Sequence, residues 1–236
     1  MNPKLLPPLH PNVSLHVDYV GDEKNPVILI DNFLAEADFL VSVAENHSQF
    51  GAPTYFYPGM QALVPKAYEA ALAVYLKKII CDVFSLKPEN ITHSQSFFAM
   101  VLTPPEQLHP TQSRPHVDSD SHLQLAGIHY LCPPDKGGTS LYRHKATGFE
   151  SVNSARRAEY DRYLAAEAKD NEWMGKYING SNKYYERIAS YDAAFNRMVI
   201  YRGNCLHSGN ISADFNFDPN PRTGRLTLTS FINSKE

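Results

Sequence analysis

Cysteine is scarce in this sequence, tryptophan scarcer, and no apolar run is long enough to cross a bilayer. The 236 residues include three cysteines and one tryptophan. Cys81, Cys132 and Cys205 stand far apart with no C-x-x-C, which is too few for a disulfide framework. A sparse, odd count suits a reducing compartment, so a cytoplasmic protein is expected. No stretch approaches about 18 apolar residues, so no membrane span is expected. The opening MNPKLLPPLHPN is broken by prolines before the apolar region of a signal peptide could form. An excess of positive charge is missing too, because the formal net charge is −3. That balance gives no general attraction to nucleic acid or anionic lipid. There is no internal repeat and no low-complexity tract.

What remains is ordinary globular usage, with 43% hydrophobic and 20% charged residues. Such a composition argues against disorder. A chain of this length buries about 70% of the surface it exposes when unfolded, enough for a full core without metal or disulfide staples. One domain over 1–236 is expected, with 1–90 supporting a core at 91–236.

Along the chain, residues 16–33 alternate and then run apolar, which reads as two strands. Residues 35–49 space Leu40, Val43 and Ala44 like a short amphipathic helix. Turn chemistry fills 51–60. Residues 66–84 give the clearest helix, with Leu72, Tyr75, Leu76 and Ile79 on one face and Pro65 at its entry. From about 91 the pattern becomes short β-rich runs: ITHSQSFFAMVL, HLQLAGIHYL, GTSLYR, RMVIYR and RLTLTSFIN. Clusters of Pro, Gly and Asn separate them. The interruption at about 144–194 reads as helical and aromatic, with Trp173 and six tyrosines. The expected class is α+β: a jelly-roll core (a double-stranded β-helix), early helices packed on its outside, and a helical insertion.

Three segments carry residues able to do chemistry. In RPHVDSDSH, at 114–122, an extended strand would project His116 and Asp118 from one face, an imidazole and a carboxylate suited to a metal. Asp120 and His122 continue the same parity and compete with them. In MVIYRGNCLHSGN, at 198–210, His207 follows a turn and is free to point into a cavity. In the last strand, Arg225, Thr227 and Thr229 alternate with leucines. If that polar face points inward, it offers a guanidinium and two hydroxyls to an anion.

His116-x-Asp118, a distal His207 in an HSGN setting, and Arg225 with Thr227 together resemble the non-haem Fe(II)/2-oxoglutarate dioxygenases. The segment GIHYLCPPDKGGTSLYR looks like the middle strands of the prolyl-hydroxylase-like branch, and VILIDNFLAEADFL like its entry. The resemblance implies that His116, Asp118 and His207 hold Fe(II) on one face and leave three positions open. It further implies that Arg225 holds the far carboxylate of 2-oxoglutarate, with Thr227 beside it and Tyr130 adding a phenol. The implied reaction oxidises a substrate C–H, with hydroxylation favoured over halogenation because Asp118 is a carboxylate, and releases succinate and CO2. The 18 residues from His207 to Arg225 are longer than usual for that branch. Arg222 is therefore the fallback for Arg225.

The expected substrate is a small molecule or a peptide side chain, not nucleic acid, and edge strands leave a homodimer open. Two rivals share the pattern. A cupin-like metal enzyme would not need Arg225, and a jelly-roll binding module would need no metal. Among the other histidines, His129 is expected in the core, His144 at the rim of the insertion, and His93 and His109 without a role. Cys205 has no base to make it a nucleophile. The insertion's aromatics, Tyr160, Tyr163, Trp173, Tyr177, Tyr184, Tyr185 and Tyr191, either form a lid over substrate or pack the insertion on the sheet.

Overall fold

Alternation along the strands sets the layers. The computed structural model describes residues 6–53, 56–170 and 175–235, without the side chains of His93 and Ser94. Trp173 and the His93 side chain therefore lie outside the described residues. In chain order the elements are β1 (Ser14–Val20), β2 (Asn25–Asp31), α1 (Ala37–His47), β3 (Gly59–Leu63), α2 (Lys66–Tyr75), α3 (Lys77–Phe84), β4 (Ile91–Val101), β5 (Leu125–Tyr130), β6 (Gly138–His144), α4 (Ser154–Glu167), β7 (Tyr185–Asp192), β8 (Arg197–Arg202), β9 (His207–Asn210) and β10 (Leu226–Ser234). Seven strands form one sheet in the order β1-β2-β8-β5-β10-β4-β3, and three form a second, β7-β6-β9. The strand pairings are antiparallel. The protein is thus a sheet-rich mixture of strands and helices. None of its described helices is long and apolar enough to cross a membrane.

The large sheet buries both faces. Ile28, Ile30, Phe98, Met100, Leu226, Leu228 and Ile232 pack in one cluster with Leu40, Leu72, Leu76, Ile80 and Phe84 of the first three helices. The neighbours of opposite parity, Val27, Ala126, Tyr130, Val199 and Tyr201, pack instead with Leu141 and Tyr191 of the small sheet. A one-residue slip would exchange the two sets, so burial on both sides fixes the register. The polar alternation of β10 is therefore an inward face. Thr227 and Thr229 are 1% and 9% exposed.

The strong helical segment at 66–84 divides at Leu76, whose backbone still donates to Leu72 and accepts from Ile80. The 144–194 interruption is only partly helical. After α4, the segment YERIASYD forms β7 and pairs along β6, where its aromatic and β-branched residues suit a pleated surface. Tyr160, Tyr185 and Ile178 cluster with Tyr142 and Leu206, so these aromatics pack the insertion against the small sheet. His144 is not a rim residue. It is fully buried, 2.8 Å from Glu167 Oε1 through Nε2 and 2.8 Å from Thr147 Oγ1 through Nδ1.

His129 occupies the core on the helix side, as its parity requires. Its Nδ1 lies 3.2 Å from the Tyr68 hydroxyl and its Nε2 3.1 Å from Asn196 Oδ1. Asn196 Nδ2 donates to the Leu34 carbonyl at 2.8 Å, so Oδ1 is an acceptor and Nε2–H the donor. Burial pushes this imidazole down to about 4 from its ordinary 6.5. An unfolded chain would thus take up a proton between pH 6.5 and 4 that the folded one refuses. Stability is complete above pH 6.5 and is lost as pH falls toward 4. Urea unfolding should show it: between pH 7 and 4.5 the wild type should lose about 2 kcal/mol more than His129→Gln. Equal losses would mean that His129 does not carry this linkage.

Candidate metal and anion site

Residues 114–122 are not a strand. His116 makes a single bridge with His207, its N–H donating to the His207 carbonyl at 2.9 Å and receiving the return bond at 3.0 Å. Two residues on, the Asp118 N–H donates to the Gly203 carbonyl at 2.7 Å. The approach is close enough that a Cβ on Gly203 would lie 3.6 Å from the Asp118 Cβ. A loop anchored at these two points thus brings His116 and Asp118 together without the strand parity expected for them. His207 opens β9 instead of hanging past a turn. The competitors are elsewhere: Asp120 pairs with Arg157 at 3.0 Å, and His122 is exposed.

Asp118 sits 3.7 Å from His116 Nε2 and 3.5 Å from His207 Nε2, and the two rings are 4.4 Å apart. Those carboxylate contacts are too long for hydrogen bonds. They approximate the separation of two donors that each lie about 2.1 Å from one ion, which is roughly 3 to 3.5 Å. All three donor atoms fall within 4.8 Å of one another. His207 Nδ1 donates to the Cys205 carbonyl at 2.9 Å, which fixes its tautomer and leaves the Nε2 lone pair facing Asp118. Burial pushes His207 down to about 4 and raises Asp118 to about 6, against the pull of His116. Loss of water and the nearby His207 lower His116 as well, although 51% of its side chain stays open to solvent. Neutral imidazoles are the form that binds a metal.

The second half of the site lies two residues along β9. Gly209 shares the inward face with His207, and a Cβ there would be 3.8 Å from Arg225 Nη2. Two residues of strand span about 7 Å, so the guanidinium lies one short molecule's length from the His207 end. Arg225 is only 5% exposed. Its Nη2 donates to the Gly138 carbonyl at 3.1 Å, its guanidinium lies 5.8 Å from the Tyr130 ring centre, and its Nε has no partner. It joins no ion pair among the described residues. A buried cation left without an opposite charge is strongly unfavourable, and so Arg225 calls for an anion. Arg222, by contrast, lies on the surface in an ion pair with Glu45 at 2.7 Å. Thr227 Oγ1 donates to the Ala99 carbonyl at 3.3 Å. The Tyr130 hydroxyl is held at 2.6 Å from Thr139 Oγ1.

Two features escaped the sequence reading. Tyr201, inward on β8, sets its ring 4.7 Å from the His207 ring, and both Asp118 and Arg225 act on its phenol. The long stretch before Arg225 also has a place. Its Phe215 packs with Val101 and Ile211, joined by Tyr57, Tyr177 and Phe217, next to the arginine. The extra length supplies aromatic side chains to that cluster. Only the parity of Tyr201 on RMVIYR could have flagged the first, and nothing local marks the second.

Gly209 gives a clean test of the site. Gly209→Ala should behave as wild type, since 3.8 Å is ordinary contact. Gly209→Leu should retain metal binding while excluding an anionic ligand that spans from His207 to Arg225. Calorimetric titrations with metal and then ligand would check both. Unchanged ligand affinity in Gly209→Leu would place the ligand elsewhere.

The model of a family described as "Family of unknown function (DUF6445)" matches residues 11–232. No curated protein matches the chain. Among solved structures, HygX from Streptomyces hygroscopicus with nickel and 2-oxoglutarate bound is similar at 11% identity, over 89% of this chain and 83% of that one, with a TM-score of 0.47. An N-substituted L-amino acid dioxygenase from Burkholderia ambifaria AMMD is similar at 12% identity, over 91% and 84%, with a TM-score of 0.45. EctD from S. alaskensis with bound Fe is similar at 13% identity, over 98% and 84%, with a TM-score of 0.44. Likeness at this level does not fix a reaction.

Proposed function

Since the chain belongs to the DUF6445 family, described only as one of unknown function, we propose from its site that it is an Fe(II)- and 2-oxoglutarate-dependent oxygenase with a jelly-roll core. The observation that carries this reading is that a three-donor cluster and a buried arginine with no carboxylate partner among the described residues both lie against β9, at His207 and at Gly209. His116, Asp118 and His207 would hold the metal, a set of two imidazoles and one carboxylate that leaves open positions. Arg225 would hold the far carboxylate of 2-oxoglutarate through its unpartnered N–H, with Thr227 at its side and the Tyr130 ring against the guanidinium. Two antiparallel sheets sharing an apolar layer support the jelly-roll description.

Bound there, iron and 2-oxoglutarate would supply the oxidising chemistry, with succinate and CO2 as co-products. The chain's own residues do the rest. Cys205's carbonyl orients His207. The Gly203 carbonyl anchors Asp118 by its backbone N–H. Tyr201 and the aromatic seal keep the interior dry. The side chain of His116 is the open part of the cluster, so substrate would approach from that side. The substrate proposed is a small molecule or a peptide side chain.

Anaerobic titration tests the reading. Apo protein is loaded with Fe(II) and then 2-oxoglutarate, and the weak visible charge-transfer band of a chelated keto acid is followed. A band that is absent in His207→Ala and Arg225→Ala is expected. Iron binding with no band in the wild type would favour the cupin-like reading, and no iron binding would leave a binding module.

A further inference from the structure

A strand at the edge of a sheet carries a row of unused backbone N–H and C=O groups, and proteins guard such rows. The two sheets end on β1, β3, β7 and β9. Three of these edges are guarded. Gly51 bridges the outer side of β3, its N–H donating to the Gln61 carbonyl at 3.0 Å and its carbonyl accepting the return bond at 3.1 Å. His116 bridges β9 at His207 in the same way. β7 has a break in register against β6 at Ile188, the exposed charges Glu186 and Arg187, and a cover at its start, where Ser181 Oγ accepts from the Arg187 N–H. β1 has none of these devices. Its residues, SLHVDYV, contain no proline, lysine or glycine, and they pair with β2 in one unbroken register. Among the described residues no backbone hydrogen bond joins β1 to anything but β2, and the segment before it turns away to pair Leu9 with Leu34.

The side chains of β1 are open as well. Leu15 and Tyr19 share the face of Val17, which packs on the helix-side core. Yet Leu15 is 48% exposed and Tyr19 62%. On the other face, His16 Nε2 lies 2.7 Å from Asp18 Oδ1, and the Tyr191 hydroxyl donates to Asp18 Oδ2 at 3.1 Å. Asp18 is thus fixed at the edge, with the exposed His16 beside it.

The order of these residues makes the strand complementary to itself. In a symmetric antiparallel pair, residues opposite each other point to the same face, so the two-fold axis passes through a residue position. Centred on His16 or on Asp18, the axis would set that side chain against its own copy. Centred on Val17, it sets His16 opposite the second copy's Asp18, and Asp18 opposite the second copy's His16. On the other face the same register sets Leu15 against the second copy's Tyr19, Val17 against its equivalent, and Tyr19 against the second copy's Leu15. An imidazole facing a carboxylate and an aromatic ring facing an aliphatic chain are favourable cross-strand neighbours. A second copy of this chain offers that order without any further requirement, and the isologous contact closes at two.

We propose that the protein is a homodimer formed by antiparallel pairing of two β1 strands about an axis at Val17, which joins the two seven-stranded sheets edge to edge. None of the pairing residues belongs to the metal cluster or touches Arg225, so the interface stands or falls apart from the oxygenase reading.

Sedimentation of the full chain tests the state, and single-cysteine variants read the register. Wild type should sediment as a dimer. His16→Asp sets carboxylates opposite one another, twice across the axis, and should weaken the dimer by about 10-fold or more. Adding Asp18→Lys should restore it, because opposite charges then face each other again. Melting temperatures serve as folding controls for both variants. Cys81, Cys132 and Cys205 are buried, so a cysteine placed on β1 is the reactive one. Two copies of Val17→Cys meet at the axis within disulfide reach, and mild oxidation should link them into a covalent dimer. Leu15→Cys should not link, since its two copies lie about 13 Å apart along the strands. A wild type that stays monomeric up to its highest soluble concentration overturns the proposal. So does a dimer that His16→Asp leaves intact and in which Leu15→Cys links as readily as Val17→Cys, because the copies would then meet elsewhere.

Discussion

Arg225→Met is expected to abolish 2-oxoglutarate binding and to leave the apo protein at least as stable as wild type. The usual sign for a core substitution is the reverse, since most destabilise. Arg225 is an exception because its charge is buried at 5% exposure, donates once to the Gly138 carbonyl, and faces no carboxylate. Even buried ion pairs can often be replaced by apolar side chains of similar volume at no loss or with a gain of about 1–4 kcal/mol, and a charge with no opposite partner has less attraction to lose. Methionine is flexible enough to fill the vacated space beside Tyr130 and Cys132. Chemical denaturation of apo Arg225→Met should therefore give a stability equal to or above wild type. The charge-transfer band with iron and 2-oxoglutarate should vanish, while iron alone still binds. A protein that is destabilised by several kcal/mol would show that the arginine is structural. One that still forms the band would show that the anion is held elsewhere.

The second large effect is metal-linked stability. Three donors converge within 4.8 Å only in the folded chain, since they come from a loop and from a strand some ninety residues on. An ion bound there stabilises the folded state by mass action, about 4 kcal/mol at a thousandfold excess over Kd. Thermal unfolding of apo protein with added Mn(II), Fe(II) under nitrogen, or Ni(II) should show a rise of several degrees. His207→Ala should remove most of that rise, because it takes away the donor whose tautomer the Cys205 carbonyl fixes. Asp118→Ala should do the same. Asp120→Ala should not, because Asp120 is occupied by Arg157. An equal metal response in wild type and His207→Ala would mean that the ion binds at another place.

The pattern of success along the chain has a physical cause. Strand runs, the α1 helix and the core position of His129 follow from side-chain periodicity, which is local. The same rule placed Arg225, Thr227 and Thr229 on one face, but it left open which way that face turned. The region at 144–194 is helical only in α4, because its later part forms β7 and pairs with the distant β6. Its tyrosines alone do not announce that partner. His144 looked like a rim residue for the same reason, since Tyr160, Tyr185 and Glu167 close over it only after α4 docks.

The candidate site divides in the same way. The sequence by itself determined the donor types, their order along the chain and the alternation that makes Arg225 a better candidate than Arg222. Those depend on residue identity and on neighbours two or four positions away. Tertiary structure alone decided that the polar face of β10 looks inward, because the helices claim Leu226, Leu228 and Ile232 on the other side. It alone brought His116 to His207 through one backbone bridge, and it alone buried Arg225 against the Gly138 carbonyl with no carboxylate beside it. Burial and pairing are properties of contacts between distant segments, and no local pattern records them.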